Sequence, residues 1–150
     1  MPTFRSTKTF GHELGLSAAF RQWRADSHCR FVHGYALSVK VTFEADELDV
    51  RNWVVDFGSL KSYKDMLERT FDHKLLVAED DPLREFFKRG EQEGAWEMVL
   101  VPATGCEAFA RMLYEYTELW LHDNGYSPRC RVVKVEVREH GANSAIYGEA

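Results

Sequence analysis

The chain has 150 residues, a formal net charge of -5 and three cysteines, at positions 29, 106 and 130. Its length suits a single domain, 1–150, and its 45% hydrophobic and 29% charged content is that of a soluble globular protein. An acidic balance disfavours a nucleic-acid binder, which needs a basic surface to displace counterions, and no apolar run is long enough to cross a bilayer. The odd cysteine count, with no CxxC pair, speaks against a disulfide scaffold and for a reducing cytosol. MPTFRSTKTF lacks the apolar centre of a signal peptide.

The opening region, Phe4 to about Phe20, reads as strand, with Leu14 and Leu16 two apart. YALSVKVTFE alternates cleanly: Leu37, Val39, Val41 and Phe43 point one way and Ser38, Lys40, Thr42 and Glu44 the other, the pattern of a half-buried strand. After the turn-like EADELDVRN and WVVDF, Ser59 is placed to cap a helix whose apolar positions are Leu60, Tyr63, Leu67 and Phe71. That pattern stops at DHKLL. Asp81-Pro82 opens a short helix through EFFKR that ends near Gly90 or Gly94, and WEMVLVP is a short strand. TGCE has the form of a capping box. It precedes a helical stripe of Phe109, Met112, Leu113, Tyr116, Leu119 and Trp120, closed by Asn124-Gly125. VVKVEVRE alternates again, with Val133, Val135 and Val137 on one face. This order predicts an α+β fold: a mainly antiparallel sheet with two main helices packed on one face, and a partner subunit as cover for the other.

Several side chains could carry chemistry. If CRFVHGY is extended, Cys29, Phe31, His33 and Tyr35 share a face. Cys29 then lies roughly 13 Å from His33, too far to share a metal ion unless the chain bends. The plainer reading is a half-buried thiol at a strand entry. In DHK the carboxylate of Asp72 can orient the His73 ring and raise its basicity, or His73 simply answers the dipole of a helix C-terminus. Glu107 is either the third position of the capping box or a binding group. Glu139, at a strand end, is a surface charge or an acceptor for paired N–H donors such as the amino-pyrimidinone edge of a pterin or guanine.

Taken together and in order, these segments resemble the 6-pyruvoyltetrahydropterin synthase and 6-carboxytetrahydropterin synthase family. LGLSAAFR resembles its first strand, and CRFVHGY its Cys-x-x-x-His-Gly-His motif. VVDFGSLK is similar to its aspartate-phenylalanine segment, DHKLL to its Asp-His-Lys, TGCEAFA to its Thr-x-x-Glu-Asn-x-Ala, and VREHGANSAIY to its final glutamate segment. The resemblance implies a tunnelling fold in which subunits assemble a barrel, with a hexamer of two stacked trimers and active sites between subunits. It implies 7,8-dihydroneopterin triphosphate as substrate and zinc, held by three histidines, as cofactor. Carried over, Cys29 is the proton-transfer residue, Asp72 and His73 are its partners, Glu139 anchors the pterin, and Glu107 and Thr104 support the pterin site. The single cysteine four residues before the histidine resembles the carboxy-forming branch, used in making 7-deazaguanine.

The departures lie in the metal site. Of the three histidine positions only His33 is kept; Phe20 and Tyr35 stand at the others. Phenylalanine has no donor atom and a neutral phenol is a poor substitute for imidazole. A site rebuilt from His12, His28 and His33 is the alternative. Three functions therefore remain open: a lyase of this family, a pterin- or purine-processing enzyme with a different metal-independent reaction, and a non-catalytic binding protein.

Overall fold

The structure, a computed structural model, describes residues 1–150. The elements run β1 (Phe4–Phe10), β2 (Leu16–Phe20), β3 (His33–Ala45), α1 (Lys61–Phe71), β4 (Lys74–Ala78), α2 (Arg84–Gln92), β5 (Glu97–Val101), α3 (Cys106–Asp123), β6 (Cys130–His140) and β7 (Asn143–Gly148). The alternating segment read from the sequence is the core of β3, which at 13 residues is the spine of the sheet. Its C-terminal half pairs antiparallel with β1 and its N-terminal half with β2, from Leu16↔Leu37 to Phe20↔His33. On its other edge β3 pairs antiparallel with β6, and β6 with β7. The expected antiparallel sheet is thus present, with a correction at one end: β4 adds parallel to β2, and β5 parallel to β4. Parallel neighbours need a crossover, and α2 supplies the one between β4 and β5.

The opening region is not one strand. Residues 11–15 leave the sheet in a 3-10 turn over His12–Leu14, closed by Gly15 at φ 73°, a conformation glycine adopts without strain. His12 Nδ1 meets the Ala36 carbonyl at 2.5 Å and ties this excursion to β3.

Leu16, Ala18 and Phe20 of β2, Leu37, Val39, Val41 and Phe43 of β3, and Val132, Val135 and Val137 of β6 are buried in one apolar cluster with α1 and α3. Each such Leu, Val or Phe contributes about 1.5–3 kcal/mol when fully buried. Val133 was expected on this face. A register shift between Thr42 and Phe43 puts Val132 in the cluster instead. On α1, Leu60, Tyr63, Leu67 and Phe71 are all buried, as their spacing predicts. Ser59 does not cap α1, which starts after Leu60 with no side-chain cap bond; a 3-10 turn over Phe57–Leu60 precedes it, capped by the Asp56 side chain accepting from the Gly58 N–H, and Ser59 donates to the Asp56 carbonyl. On α3, Phe109, Leu113 and Trp120 face the core, but Leu119 is exposed. The inward row continues 109–113–117, and residue 119 lies about 200° round the helix from residue 117. Thr117 fills that row and bonds the Tyr63 hydroxyl at 2.8 Å.

The second face has its own small core: Leu75, Val77 and Phe87 of β4 and α2, flanked by Ala19, Trp96 and Met98. No helix is long and apolar enough to cross a membrane.

Candidate active site

The apolar stripes of three strands run out at one edge of the main core, and functional side chains stand where they stop. Along β3 the inward series Phe43, Val41, Val39, Leu37 continues as Tyr35 and His33; along β6 Val135 and Val137 continue as Glu139. In the β2–β3 register Phe20 lies opposite His33 and Ala18 opposite Tyr35. The rings of Phe20, His33 and Tyr35 form a triangle, with centroids 5.4 Å (Phe20–His33), 6.1 Å (Phe20–Tyr35) and 5.4 Å (His33–Tyr35) apart. Phe20 closes it against the core through an edge-on contact with Phe109, 5.1 Å between centroids. The start of α3 completes the site. Cys106, Glu107 and Glu139, with Ala142, Asn143 and Ser144, line a recess of about 490 Å³, within the size range of small-molecule sites.

Electrostatics here favour neutral donors beside carboxylates. Burial pushes the Cys106 thiol up to about 12, and the charges of Glu139 and Glu107 add to that. Burial likewise raises the Tyr35 phenol, reinforced by the Glu139 carboxylate and by Cys29 and Cys106 nearby. Both groups therefore keep their protons.

Cys29 reaches this place by a bend that the extended reading of CRFVHGY did not anticipate. Residues His28–Arg30 form a 3-10 turn, with the Ser27 hydroxyl accepting from the Cys29 N–H at 3.3 Å. Gln22 holds the turn: its backbone N–H donates to the Cys29 carbonyl at 2.9 Å. Its side-chain amide donates to the Thr104 carbonyl at 3.0 Å and accepts from the Thr104 hydroxyl at 2.7 Å. Thr104 also contacts the Arg21 carbonyl at 2.8 Å. These contacts correct the capping-box expectation. The cap position is Gly105 and makes no side-chain cap bond, so Thr104 serves the scaffold and Glu107 is free to face the recess. Next to Gln22, Arg21 grips the buried Asp81 with two bonds of 2.8 and 2.6 Å.

Asp72 and His73 stand elsewhere. Adjacent side chains usually diverge, but His73 is in the left-handed region (φ 57°), and its Nδ1 meets Asp72 Oδ1 at 2.7 Å. The His73 N–H donates to the Ser17 carbonyl at 2.7 Å, fixing the pair to β2. The His73 side chain is 83% exposed and opens into an apolar groove of about 480 Å³ with Val32, Gly34, Phe86, Phe87 and Trp96. This groove shares no lining residue with the Glu139 recess. One chain thus sets Cys106 and Glu139 in one recess, with Tyr35 at the same end of the sheet and Cys29 near enough for its charge to act on the Tyr35 phenol, and leaves Asp72–His73 on a separate groove.

The ring triangle does not fit the zinc implied by the sequence. Phe20 is 1% exposed and offers no donor atom, which leaves His33 the one imidazole of the triangle; its Nδ1 meets the Phe31 carbonyl at 2.7 Å and leaves Nε2 free. His12 and His28, the alternative ligands, do not join it: no three His, Cys, Asp or Glu side chains are grouped so as to hold a metal ion. Reading the sequence also passed over Cys106 and Gln22. Cys106 had a signal, its place beside Glu107. Gln22 had none, because its partners are two backbone carbonyls and a hydroxyl, 7 and 82 residues away.

Solved structures place the sheet and helices in the tunnelling fold. A 6-pyruvoyltetrahydropterin synthase from Plasmodium vivax superposes with a TM-score of 0.70 over 98% of both chains at 14% identity. That from Caenorhabditis elegans gives 0.60 over 100% of this chain and 98% of its own, at 22% identity. An uncharacterized protein from Wolinella succinogenes superposes at 0.82 over the whole of both chains, at 20% identity. Family and curated relatives make the chain a lyase-type pterin synthase. The sequence profile described as 6-pyruvoyl tetrahydropterin synthase matches residues 11–150, and the chain belongs to that family. Among its relatives, the 6-carboxy-5,6,7,8-tetrahydropterin synthase of Aquifex aeolicus is 29% identical over 139 residues, 90% of this chain and 85% of that protein. The Bacillus subtilis protein of the same name is 29% identical over 136 residues, 90% and 81% of the two chains.

Proposed function

We propose that the chain is a 6-carboxy-5,6,7,8-tetrahydropterin synthase-like lyase acting on 7,8-dihydroneopterin triphosphate, in a 7-deazaguanine-type pathway. The observation that carries this reading is Glu139 at the end of the core stripe, in a recess with a second carboxylate, Glu107. An ionised carboxylate accepts two parallel N–H bonds, and the amino-pyrimidinone edge of a pterin presents two such donors. The names of the Aquifex and Bacillus relatives support the same substrate class.

In this reading Glu139 anchors the ring, supported by Glu107, and Thr104 acts through the Gln22 contacts. Cys29 moves protons on the substrate side chain. Asp72 and His73 complete the proton path from a second copy of the chain, because they open on a different groove from Glu139. The active unit is therefore a homo-oligomer, a hexamer in the reading adopted here. No step is routed through zinc. The decisive experiment is incubation of purified protein with dihydroneopterin triphosphate, with and without added zinc. Release of triphosphate with formation of a 6-substituted tetrahydropterin is expected; no turnover in either condition overturns the assignment. A different metal-independent reaction on a pterin or purine is the second reading, favoured by Phe20 and Tyr35 at the ring triangle.

A further inference from the structure

The ring triangle carries more than the loss of a metal site. Three imidazoles on one tetrahedral zinc, each nitrogen about 2.0–2.1 Å from the ion, set their ring centroids roughly 5 Å apart. The triangle of Phe20, His33 and Tyr35, at 5.4–6.1 Å, keeps nearly that spacing. The backbone frame is therefore retained while the ring chemistry differs. Phe20 has become core, buried against Phe109. Tyr35 has not: its phenol is only half-buried, and its ring is flanked by those of His33 and His140 at 5.4 and 6.0 Å. Tyr35 stands near the end of the inward series of β3 as Glu139 ends that of the paired strand β6, and the turn that carries Cys29 leads into β3.

That placement gives the hydroxyl a task. A pterin ring held by Glu139 in the recess projects its side chain away from the carboxylate, and the thiol proposed to work on that side chain is Cys29. Tyr35 shares this end of the sheet with Glu139, its ring 6.0 Å from that of His140, the residue after Glu139. A phenol is both donor and acceptor and suits the hydroxyl groups of a polyol side chain, whereas Phe20 can only pack against it.

We infer that Tyr35 is a specificity-determining residue whose hydroxyl hydrogen-bonds the hydroxyl-bearing side chain of the pterin ligand, at the corner of a metal-ligand frame that this chain has converted to metal-free recognition. The inference rests on the pterin-binding reading above.

The test uses two probes that differ only in the side chain: neopterin, and pterin without a substituent. Affinities are read by fluorescence titration on chelator-treated full-length protein. Wild type is expected to prefer neopterin. Tyr35→Phe narrows that preference about threefold to tenfold, the value of one net hydrogen bond, with the affinity for unsubstituted pterin unchanged. Glu139→Gln weakens both probes alike. If Tyr35→Phe leaves the preference intact or lowers both affinities equally, the phenol is packing or supports Glu139, and the inference falls. It also falls if wild type has no preference, or gains one only with added zinc. Binding of neither probe overturns the pterin reading itself and is distinguishable from those results. Circular dichroism of Tyr35→Phe and Tyr35→Leu separates a folding defect from loss of the hydroxyl.

Discussion

The Glu139 recess and the His73 groove belong to one sheet yet are built for different occupants. The recess is a polar end to an apolar stripe: Glu139, Glu107 and Cys106 replace hydrocarbon where β6 and α3 leave the core. The groove is the reverse, a hydrophobic hollow of Val32, Phe86, Phe87 and Trp96 with one imidazole–carboxylate pair at its rim. A heterocycle with paired N–H donors suits the first. The second presents a basic ring beside an apolar surface, which suits another protein surface better than a free polar ligand. The difference teaches that the two candidate regions of this chain are chemically distinct and do not share a lining residue, as the proposed site between copies requires.

The sharpest way to break that contrast is to inactivate each region separately. Cys29→Ala and His73→Ala should each lower turnover by about 10²–10⁴, the usual contribution of a positioned proton-transfer group. Subunits of the two variants, mixed and reassembled, should regain activity in a steady-state assay if the regions meet between copies. Mixtures as inactive as their components would put both groups to work within one chain or neither. Next in size, Phe20→Ala should cost about 3–5 kcal/mol in urea unfolding, because the triangle corner it occupies is core. A cost below about 1 kcal/mol would mean that the ring triangle is independent of the core.

Asp81 offers a pH-dependent test of the loop that carries Cys29. Burial alone would raise its carboxyl, but the bonds from Arg21 and the Leu83 N–H outweigh that and hold it below the ordinary value. A depressed carboxyl contributes stability that is present above its unfolded pKa, near 3.9, and is lost as pH falls through the folded value. Asp81→Asn should therefore cost roughly 3 kcal/mol at neutral pH and less in acid, where wild type loses the same contribution. The smallest effect expected is at Gln22. Gln22→Ala should lower stability by about 1 kcal/mol, and it should speed thiol labelling of Cys29, read with a chromogenic disulfide. Unchanged labelling would detach Gln22 from the thiol.

Much of the fold was legible because single-faced elements write their periodicity into the sequence. β3 alternates, and α1 repeats Leu60, Tyr63, Leu67, Phe71 on one side. β4 was missed for the converse reason. Leu76 faces the main core while Leu75 and Val77 face the α2 core, so KLLVA is apolar throughout and shows no alternation. β7 buries only Ala145 and leaves almost no pattern. Candidate site residues stand out where a motif marks them, as at Cys29, Asp72, His73, Glu107 and Glu139. Their relative placement was not legible. The turn at His28–Arg30 that carries Cys29 and the left-handed backbone at His73 are both properties of φ and ψ that composition does not encode.

That backbone at His73 has a consequence for engineering. A side chain held at φ 57° is strained where glycine is not, and asparagine tolerates the region better than most residues. His73→Gly should raise the melting temperature while removing the imidazole. A library of this chain selected for thermal tolerance alone would drift towards Gly or Asn at position 73, and heat-resistant clones would have to be rescreened for turnover before any was kept.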